Sequence, residues 1–159
     1  MAYFRFIRAN WVFLLAGFLL TFTSAYGQTY FISLFAGEIK GSFGLSDGQW
    51  GGIYTIGTTL SAITMVWAGV LTDRFRVRRL SFWVMVALAG ACLAMAAVPN
   101  WIALIFVIYA LRLTGQGMMS QLGAVAMVRW FEAARGKALS LSARMAVKEA
   151  AYAGFAIPL

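Results

Sequence analysis

The amino-acid sequence predicts an all-α, polytopic transmembrane bundle of about five helices, contained in a single domain over residues 1–159. Apolar residues make up 62% of the chain and charged residues 11%, whereas soluble domains have about 45–50% apolar and about 25% charged residues. Apolar runs long enough to cross a bilayer, which takes about 20 residues, recur along the whole chain. Since a soluble protein of this length could not bury so much apolar surface, we expect the bilayer to be its solvent.

Five segments have the length and composition of a membrane span: about 10–36, 48–72, 79–98, 101–128 and 137–158. We interpret the first as a retained helix rather than a cleaved signal peptide, because the weakly polar run continues to Ala36 and further spans follow. A glycine-rich loop is expected over 37–48, where Ser46 or Asp47 is a suitable N-cap for the second helix. Pro99 and Asn100 break the chain between the third and fourth helices.

The distribution of positive charge predicts how the chain crosses the membrane. A net charge of +8 would suggest a nucleic-acid partner if the protein were soluble. Here only Lys40 falls in a loop on one side, whereas nine basic residues fall in segments on the other side: Arg5, Arg8, Arg74, Arg76, Arg78, Arg79, Arg129, Arg135 and Lys137. This asymmetry follows the positive-inside rule. We therefore expect a multi-pass protein of the bacterial cytoplasmic (inner) membrane, with a cytoplasmic N-terminus and no nucleic-acid partner.

The residue types needed for catalysis are scarce in this sequence. It contains no His and only one Cys, Cys92, which excludes a disulfide within the chain and argues against a soft-metal site. No nucleophile is paired with a base, and the glycines at 115 and 117 lie in mid-membrane, where they cannot cradle a nucleotide. We expect a protein that is not an enzyme and that holds no metal or cofactor.

The fourth span contains the clearest candidate site. Arg112 follows Trp101 by eleven residues, which places it about 17 Å along the helix at 1.5 Å per residue and close to the bilayer midplane. Gln116 and Ser120 follow at i+4 and i+8, on the same helical face. Charges at this depth are costly and usually mark a solute pathway. The competing interpretation is that Arg112 snorkels or pairs with a neighbour for structure alone.

Weaker polar patterns lie on three other spans. On the first and second spans the candidates are Ser24, Gln28, Tyr54 and Thr58. Such side chains also hold transmembrane helices together, so packing is the competing interpretation. On the fifth span, Arg144 and Lys148 share a face and Glu149 is the one carboxylate predicted within the membrane. Either these charges face a wet cavity that attracts anions, or they form a structural charge cluster.

The basic segment between the second and third spans carries the most specific motif. It resembles the loop between helices 2 and 3 of the major facilitator superfamily, whose signature is Gly, three residues, Asp-Arg/Lys, one residue, Gly-Arg/Lys-Arg/Lys. Arg76 stands where the family has Gly, but five positions of the segment match: Gly69, Asp73, Arg74, Arg78 and Arg79. The resemblance implies that these five residues form a gating loop, whose charge network locks the cytoplasmic side in the outward-facing state.

Two further stretches extend the resemblance along the chain. Residues 112–117 look like the helix-4 signature of the same superfamily, and residues 128–131 with 135–138 are similar to its monocarboxylate-porter-like and oxalate/formate-antiporter-like branches. Transporters of this kind are built from inverted three-helix repeats, and the chain holds one repeat and two helices of the next. The resemblance therefore implies the N-terminal part of a transporter, whose C-terminal helices are missing here.

The expected function is transport of a small solute across the lipid bilayer by alternating access. A cavity that holds Arg112 and Arg144 against Glu149 alone is positive, which favours an organic anion such as a carboxylate. Glu149 is also the residue through which a proton would be coupled to transport. Two alternatives are open: a small non-transporting membrane subunit, and an inactive truncated fragment.

Overall fold

The computed structural model describes residues 2–131, except for the side chains of residues 2–6 and of Asp73. This part of the chain consists of helices joined by short links and contains no β-strand. Its helices are α1 Ala2–Thr23, α2 Thr29–Leu34, α3 Ala36–Phe43, α4 Asp47–Arg74, α5 Val77–Ala96, α6 Trp101–Leu111 and α7 Ser120–Trp130. A 3₁₀ turn at Ser24–Gly27 connects α1 to α2, and a π-helix at Arg112–Met119 joins α6 to α7.

Among the described residues, four segments are long and apolar enough to cross a membrane: Ile7–Gly27, Asp47–Thr72, Val77–Ala96 and Trp101–Trp130. They correspond to the first four predicted spans, and the prediction of an all-α transmembrane bundle is confirmed. The predicted fifth span, 137–158, lies outside the described residues, as do its candidate site residues Arg144 and Glu149.

The prediction of one continuous helix over 10–36 is wrong. The helix α1 begins at Ala2, bends at Asn10 and ends at Thr23, and the backbone at Gln28 is extended, with φ −77° and ψ 150°. The hydroxyl of Thr23 donates to the carbonyl of Leu19 at 2.8 Å, and bonds of this kind compete with regular helix geometry. Because the helix is interrupted, Ser24 and Gln28 do not lie on one continuous helix, which the predicted first span implied.

The glycine-rich loop predicted over 37–48 is also wrong, because α3 occupies most of it. Ile39 is buried and packs against Ile53 and Leu104, so α3 is held by an apolar contact that glycine content does not reveal. The chain then reverses at Gly44, whose φ of 61° favours glycine. Ser46 is the N-cap of α4, as predicted, and exchanges hydrogen bonds with Gln49 in a capping box.

The connection that carries the basic motif is shorter than the sequence suggested. The helix α4 extends to Arg74 and α5 begins at Val77, so only Phe75 and Arg76 link them. Gly69 and Asp73 therefore belong to α4, and the basic pair of the motif belongs to the first turn of α5. The motif is a helix–helix corner rather than a free loop.

The fourth span lies at the centre of the bundle. The helix α1 packs against α7, whereas α4 and α5 pack against α6 and the π-helix. The fourth span accordingly supplies most of the fully buried side chains, namely Leu104, Ile108, Met119, Leu122 and Met127. Outward-facing residues such as Trp67 and Leu93 are 75% and 73% exposed, as expected of surfaces that face lipid. Any polar side chain on the fourth span is thus positioned by the three spans around it.

Candidate functional site

The candidate site is built on the π-helix Arg112–Met119 in the middle of the fourth span. The sequence weakens regular α-helical bonding here, because Gly115 and Gly117 have low helix propensity. The hydroxyl of Thr114 also donates to the carbonyl of Ala110 at 2.7 Å, four residues earlier, and Ser120 bonds in the same way to the carbonyl of Gln116. Such π-helical turns are rare and are frequently found at functional sites.

Two glycines bring the first span into direct backbone contact with this π-helix. A Cβ atom on Gly27 would lie 2.7 Å from the Cα of Gly115 and 2.7 Å from the amide nitrogen of Gln116. A Cβ atom on Gly115 would lie 2.6 Å from the Cα of Gly27. Neither position can hold a side chain in this arrangement. The close contact places the residues that follow Gly27 within reach of Arg112.

Arg112 is held by groups from two other spans, in what we call the Arg112 cluster (Gly27, Thr29, Tyr54 and Arg112). Its Nη1 donates to Thr29 Oγ1 at 2.8 Å and to the Gly27 carbonyl at 3.4 Å. The Tyr54 hydroxyl donates to the same Thr29 oxygen at 3.1 Å. The Arg112 Cζ also lies 5.7 Å from the centroid of the Tyr54 ring, within the range of a cation–π interaction.

The positive charge of Arg112 is not neutralised within the described part of the chain. Its partners there are a hydroxyl, a carbonyl and an aromatic ring, all of them neutral. The ion pair found among the described residues joins Lys40 and Asp47, with 2.6 Å between Nζ and Oδ1, and both belong to α3 and the start of α4. An unneutralised guanidinium inside a membrane span attracts anions.

Three buried polar atoms near this charge have no hydrogen-bond partner among the described residues: Arg112 Nε, Gln116 Oε1 and Thr58 Oγ1. Thr58 lies one turn after Tyr54 on α4, and Gln116 lies one turn after Arg112. Leaving such an atom unsatisfied costs about 1–3 kcal/mol, so few persist in folded proteins without a role. One N–H donor, one carbonyl acceptor and one hydroxyl, which can donate or accept, therefore have no protein partner among the described residues and are available to a solute or water.

The structure separates the predicted site residues into two groups. Arg112 and Gln116 on the fourth span, with Tyr54 and Thr58 on α4, lie on elements that pack against each other. Ser24 is 3% exposed and donates to the carbonyl of Thr21 at 2.6 Å. The hydroxyls of Ser24 and Ser120 are thus bonded to their own segments.

Sequence reasoning missed Thr29, although this residue contacts both Arg112 and Tyr54. Its neighbour Gln28, which was predicted, is half-buried and begins α2 without a side-chain capping bond. With a continuous first helix, Thr29 had no reason to stand out from other hydroxyl residues. The signal that could have found it is Gly27, which allows the chain to break and approach the fourth span.

At the motif corner, α4 is tied to α7 by contacts that the motif did not predict. The Arg129 guanidinium donates to the carbonyl of Thr72 at 3.0 Å. A Cβ atom on Gly69 would lie 3.6 Å from the side-chain nitrogen of Gln121, an ordinary van der Waals distance. The motif arginines with described side chains are exposed: Arg74, Arg78 and Arg79.

Comparison with known proteins gives one positive result. The family model of the Major Facilitator Superfamily matches residues 10–146. This range contains the π-helix, the Arg112 cluster and the motif corner. No curated protein and no solved structure matches the chain.

Proposed function

From the premise that the chain belongs to the major facilitator superfamily, we propose that it forms the N-terminal part of a transporter for a small organic anion, such as a carboxylate. The superfamily and the four apolar spans make it an integral, multi-pass membrane protein that serves solute transport. Members of this family are transporters, not enzymes.

The proposal that the solute is an anion rests on the contacts of Arg112. Its charge has only neutral partners among the described residues, and its Nε has none. A guanidinium presents several N–H donors in a planar fork that matches the two oxygens of a carboxylate. In the proposed complex the carboxylate accepts a hydrogen bond from Nε, while Gln116 Oε1 and Thr58 Oγ1 receive donors of the solute or of water.

Transport proceeds in this proposal by alternating access. The first span, α4 and the π-helix meet at Arg112, so a bound anion changes the balance of contacts among all three. Gly69, Asp73, Arg74, Arg78 and Arg79 act as the gate at the other end of α4, where the bond from Arg129 to Thr72 already ties α4 to α7. The monocarboxylate-porter-like and oxalate/formate-antiporter-like branches are the proposed relatives.

Three further features belong to the same proposal. Arg144 adds positive charge to the cavity, and Glu149 takes up and releases the coupled proton. The protein lies in a bacterial inner membrane with its N-terminus in the cytoplasm, because the basic residues favour that side.

Arg112→Ala tests the proposal in proteoliposomes that contain the full-length transporter, of which this chain is the proposed N-terminal part, by measuring the uptake of a panel of labelled carboxylates. Arg112 is half-buried and hydrogen-bonded. Truncating one partner of a buried, hydrogen-bonded charge contact at a binding site costs ~2–5 kcal/mol, and partial exposure lowers this cost, so we expect uptake to fall by up to about thirtyfold while membrane insertion survives. Arg112→Lys keeps the positive charge but lacks the planar set of N–H donors of a guanidinium, so this variant should recover part of the uptake. The control is Arg8→Ala, at an exposed arginine of α1.

Unchanged uptake by Arg112→Ala would overturn the assignment of Arg112 to the solute site. If the wild-type full-length protein moves none of the carboxylates, the choice of an organic anion as its solute is overturned. That second result would favour the alternative of a non-transporting membrane subunit.

A further inference from the structure

A cavity lined by basic and aromatic side chains lies away from the Arg112 cluster, at the start of α5. It has a volume of about 610 Å³ and is lined chiefly by three arginines and two aromatic residues: Arg76, Arg78, Arg79, Phe82 and Trp83. All five side chains are exposed, and the two aromatic rings pack edge to face with centroids 5.6 Å apart. Basic and aromatic residues side by side are typical of the membrane–water interface.

The first turn of α5 adds backbone donors to this cavity. Arg76 is the N-cap, and its side chain makes no capping hydrogen bond. Its carbonyl accepts from the amides of Arg79 and Leu80, which leaves the first two amides of the helix without an acceptor in the helix. Such amides, together with the helix dipole, favour an anion.

Ser81 supplies a second and independent indication of a ligand. It lines the same cavity and is 8% exposed, and its hydroxyl has no hydrogen-bond partner among the described residues. A buried serine in a helix would ordinarily donate to a carbonyl one turn earlier, as Ser61 and Ser24 do here. The free hydroxyl of Ser81 is available to a group that occupies the cavity.

The charges at this cavity are not balanced by the described carboxylates. Glu38 and Asp47 belong to α3 and the first turn of α4, and α4 is 28 residues long, which separates its two ends by about 42 Å. The arginines of the cavity make no ion pair within the described part of the chain. The cavity therefore combines three arginines, backbone N–H donors without a helical acceptor and an apolar aromatic rim.

We propose that this cavity binds the phosphate group of an anionic phospholipid. The arginines and the free amides hold the phosphate oxygens, Ser81 donates its hydroxyl to them, and Phe82 and Trp83 lie beside the first carbons of the acyl chains. A lipid rather than a free phosphate is favoured because these two rings are 61% and 66% exposed beside the arginines. This site shares Arg78 and Arg79 with the proposed gate but no residue with the Arg112 cluster, so lipid binding is measured separately from anion uptake.

Tryptophan fluorescence of the purified chain in mixed micelles tests the lipid site. Brominated phosphatidylglycerol should quench Trp83 at a concentration about fivefold or more below that of brominated phosphatidylcholine, since each basic residue near the surface contributes about that factor. A Trp83→Phe variant identifies the share of the signal that comes from this residue. Melting curves of all variants confirm that they are folded.

Substitutions then distinguish a specific lipid-binding site from a general attraction of anionic lipid to positive charge. Arg78→Gln, Arg79→Gln and Ser81→Ala should each remove most of the preference for phosphatidylglycerol. Arg74→Gln removes the same charge from the end of α4, outside the cavity, and should leave the preference in place. An equal loss in Arg74→Gln and Arg78→Gln, or no loss in Ser81→Ala, would overturn the proposal. Displacement of the lipid by inorganic phosphate at similar concentrations would show a free-anion site and overturn it as well.

Discussion

Arg112 is positioned by neutral groups of two neighbouring spans, and this arrangement depends on two residues without side chains. Gly27 and Gly115 allow the two backbones to touch, which brings Thr29 to the guanidinium. Arg112 could be singled out from residue type and depth, because an intramembrane charge is costly wherever it lies, and Tyr54 from the polar pattern of the second span. Thr29 could not be predicted, because its contacts depend on a break in the helix that a distant residue stabilises.

At this scale we predict that Gly27→Ala is strongly destabilising. The added Cβ would meet backbone atoms of Leu111, Gly115 and Gln116, and overpacking typically costs about 1–3 kcal/mol, with backbone clashes towards the upper end. Unfolding of the purified protein in mixed detergent micelles measures the loss. The matched control is Gly90→Ala, where a Cβ would meet nothing within 4 Å, so its stability should stay the same or rise. Equal effects of the two substitutions would contradict the close backbone contact.

Among the elements, the π-helix distinguishes the fourth span from the other three. Its i→i+5 bonding accommodates about one more residue per turn than an α-helix does. The side chains of Arg112 and Gln116 therefore leave the helix in directions that differ from those predicted by α-helical spacing. The boundaries of α4, α5 and the fourth span were predicted to within two residues. Hydropathy cannot predict π-helical bonding, because apolar content is the same whichever carbonyl an amide contacts.

Deletion of Leu113 tests the role of the π-helix. Removal of one residue allows this segment to return to α-helical bonding while α6 and α7 keep the faces they bury. We expect the melting temperature to change little and anion uptake to be lost. Deletion of Ile63 from the regular helix α4 is the control, because every later residue of α4 then rotates by about 100° and the protein should unfold. If the two deletions destabilise the protein equally, the π-helix serves packing rather than the site.

On the scale of the whole molecule, the bundle is organised around its fourth span, with apolar side chains on the outside and two polar regions. One is the Arg112 cluster inside the bundle. The other is the basic corner between α4 and α5, where the proposed gate and the proposed lipid site share a short segment. The basic corner joins one end of α4 to one end of α5. The links that precede α4 and α6 lie at the other ends of these two helices. The orientation of α5 in the membrane therefore determines whether the basic corner or the opposite side of the bundle faces the cytoplasm.

The orientation is tested with cysteines at the two ends of α5. In a Cys92→Ala background, Ala97→Cys and Phe75→Cys each introduce one exposed thiol. By the positive-inside rule we expect a membrane-impermeant maleimide to label Ala97→Cys in intact cells, and Phe75→Cys only after the membrane is opened. The reverse pattern would contradict a cytoplasmic N-terminus.

The sequence by itself determined that this protein is a helical membrane protein, where its second, third and fourth spans lie, and which intramembrane charge stands out. These are local properties, because insertion depends on the hydropathy of about 20 consecutive residues and not on their partners. Only the tertiary structure decided that the first helix breaks after Thr23, that α3 replaces a loop, and that Thr29 joins Arg112. The position of α3 depends on the packing of Ile39 against distant residues. The contact of Thr29 depends on the approach of Gly27 to Gly115, and no local pattern records either.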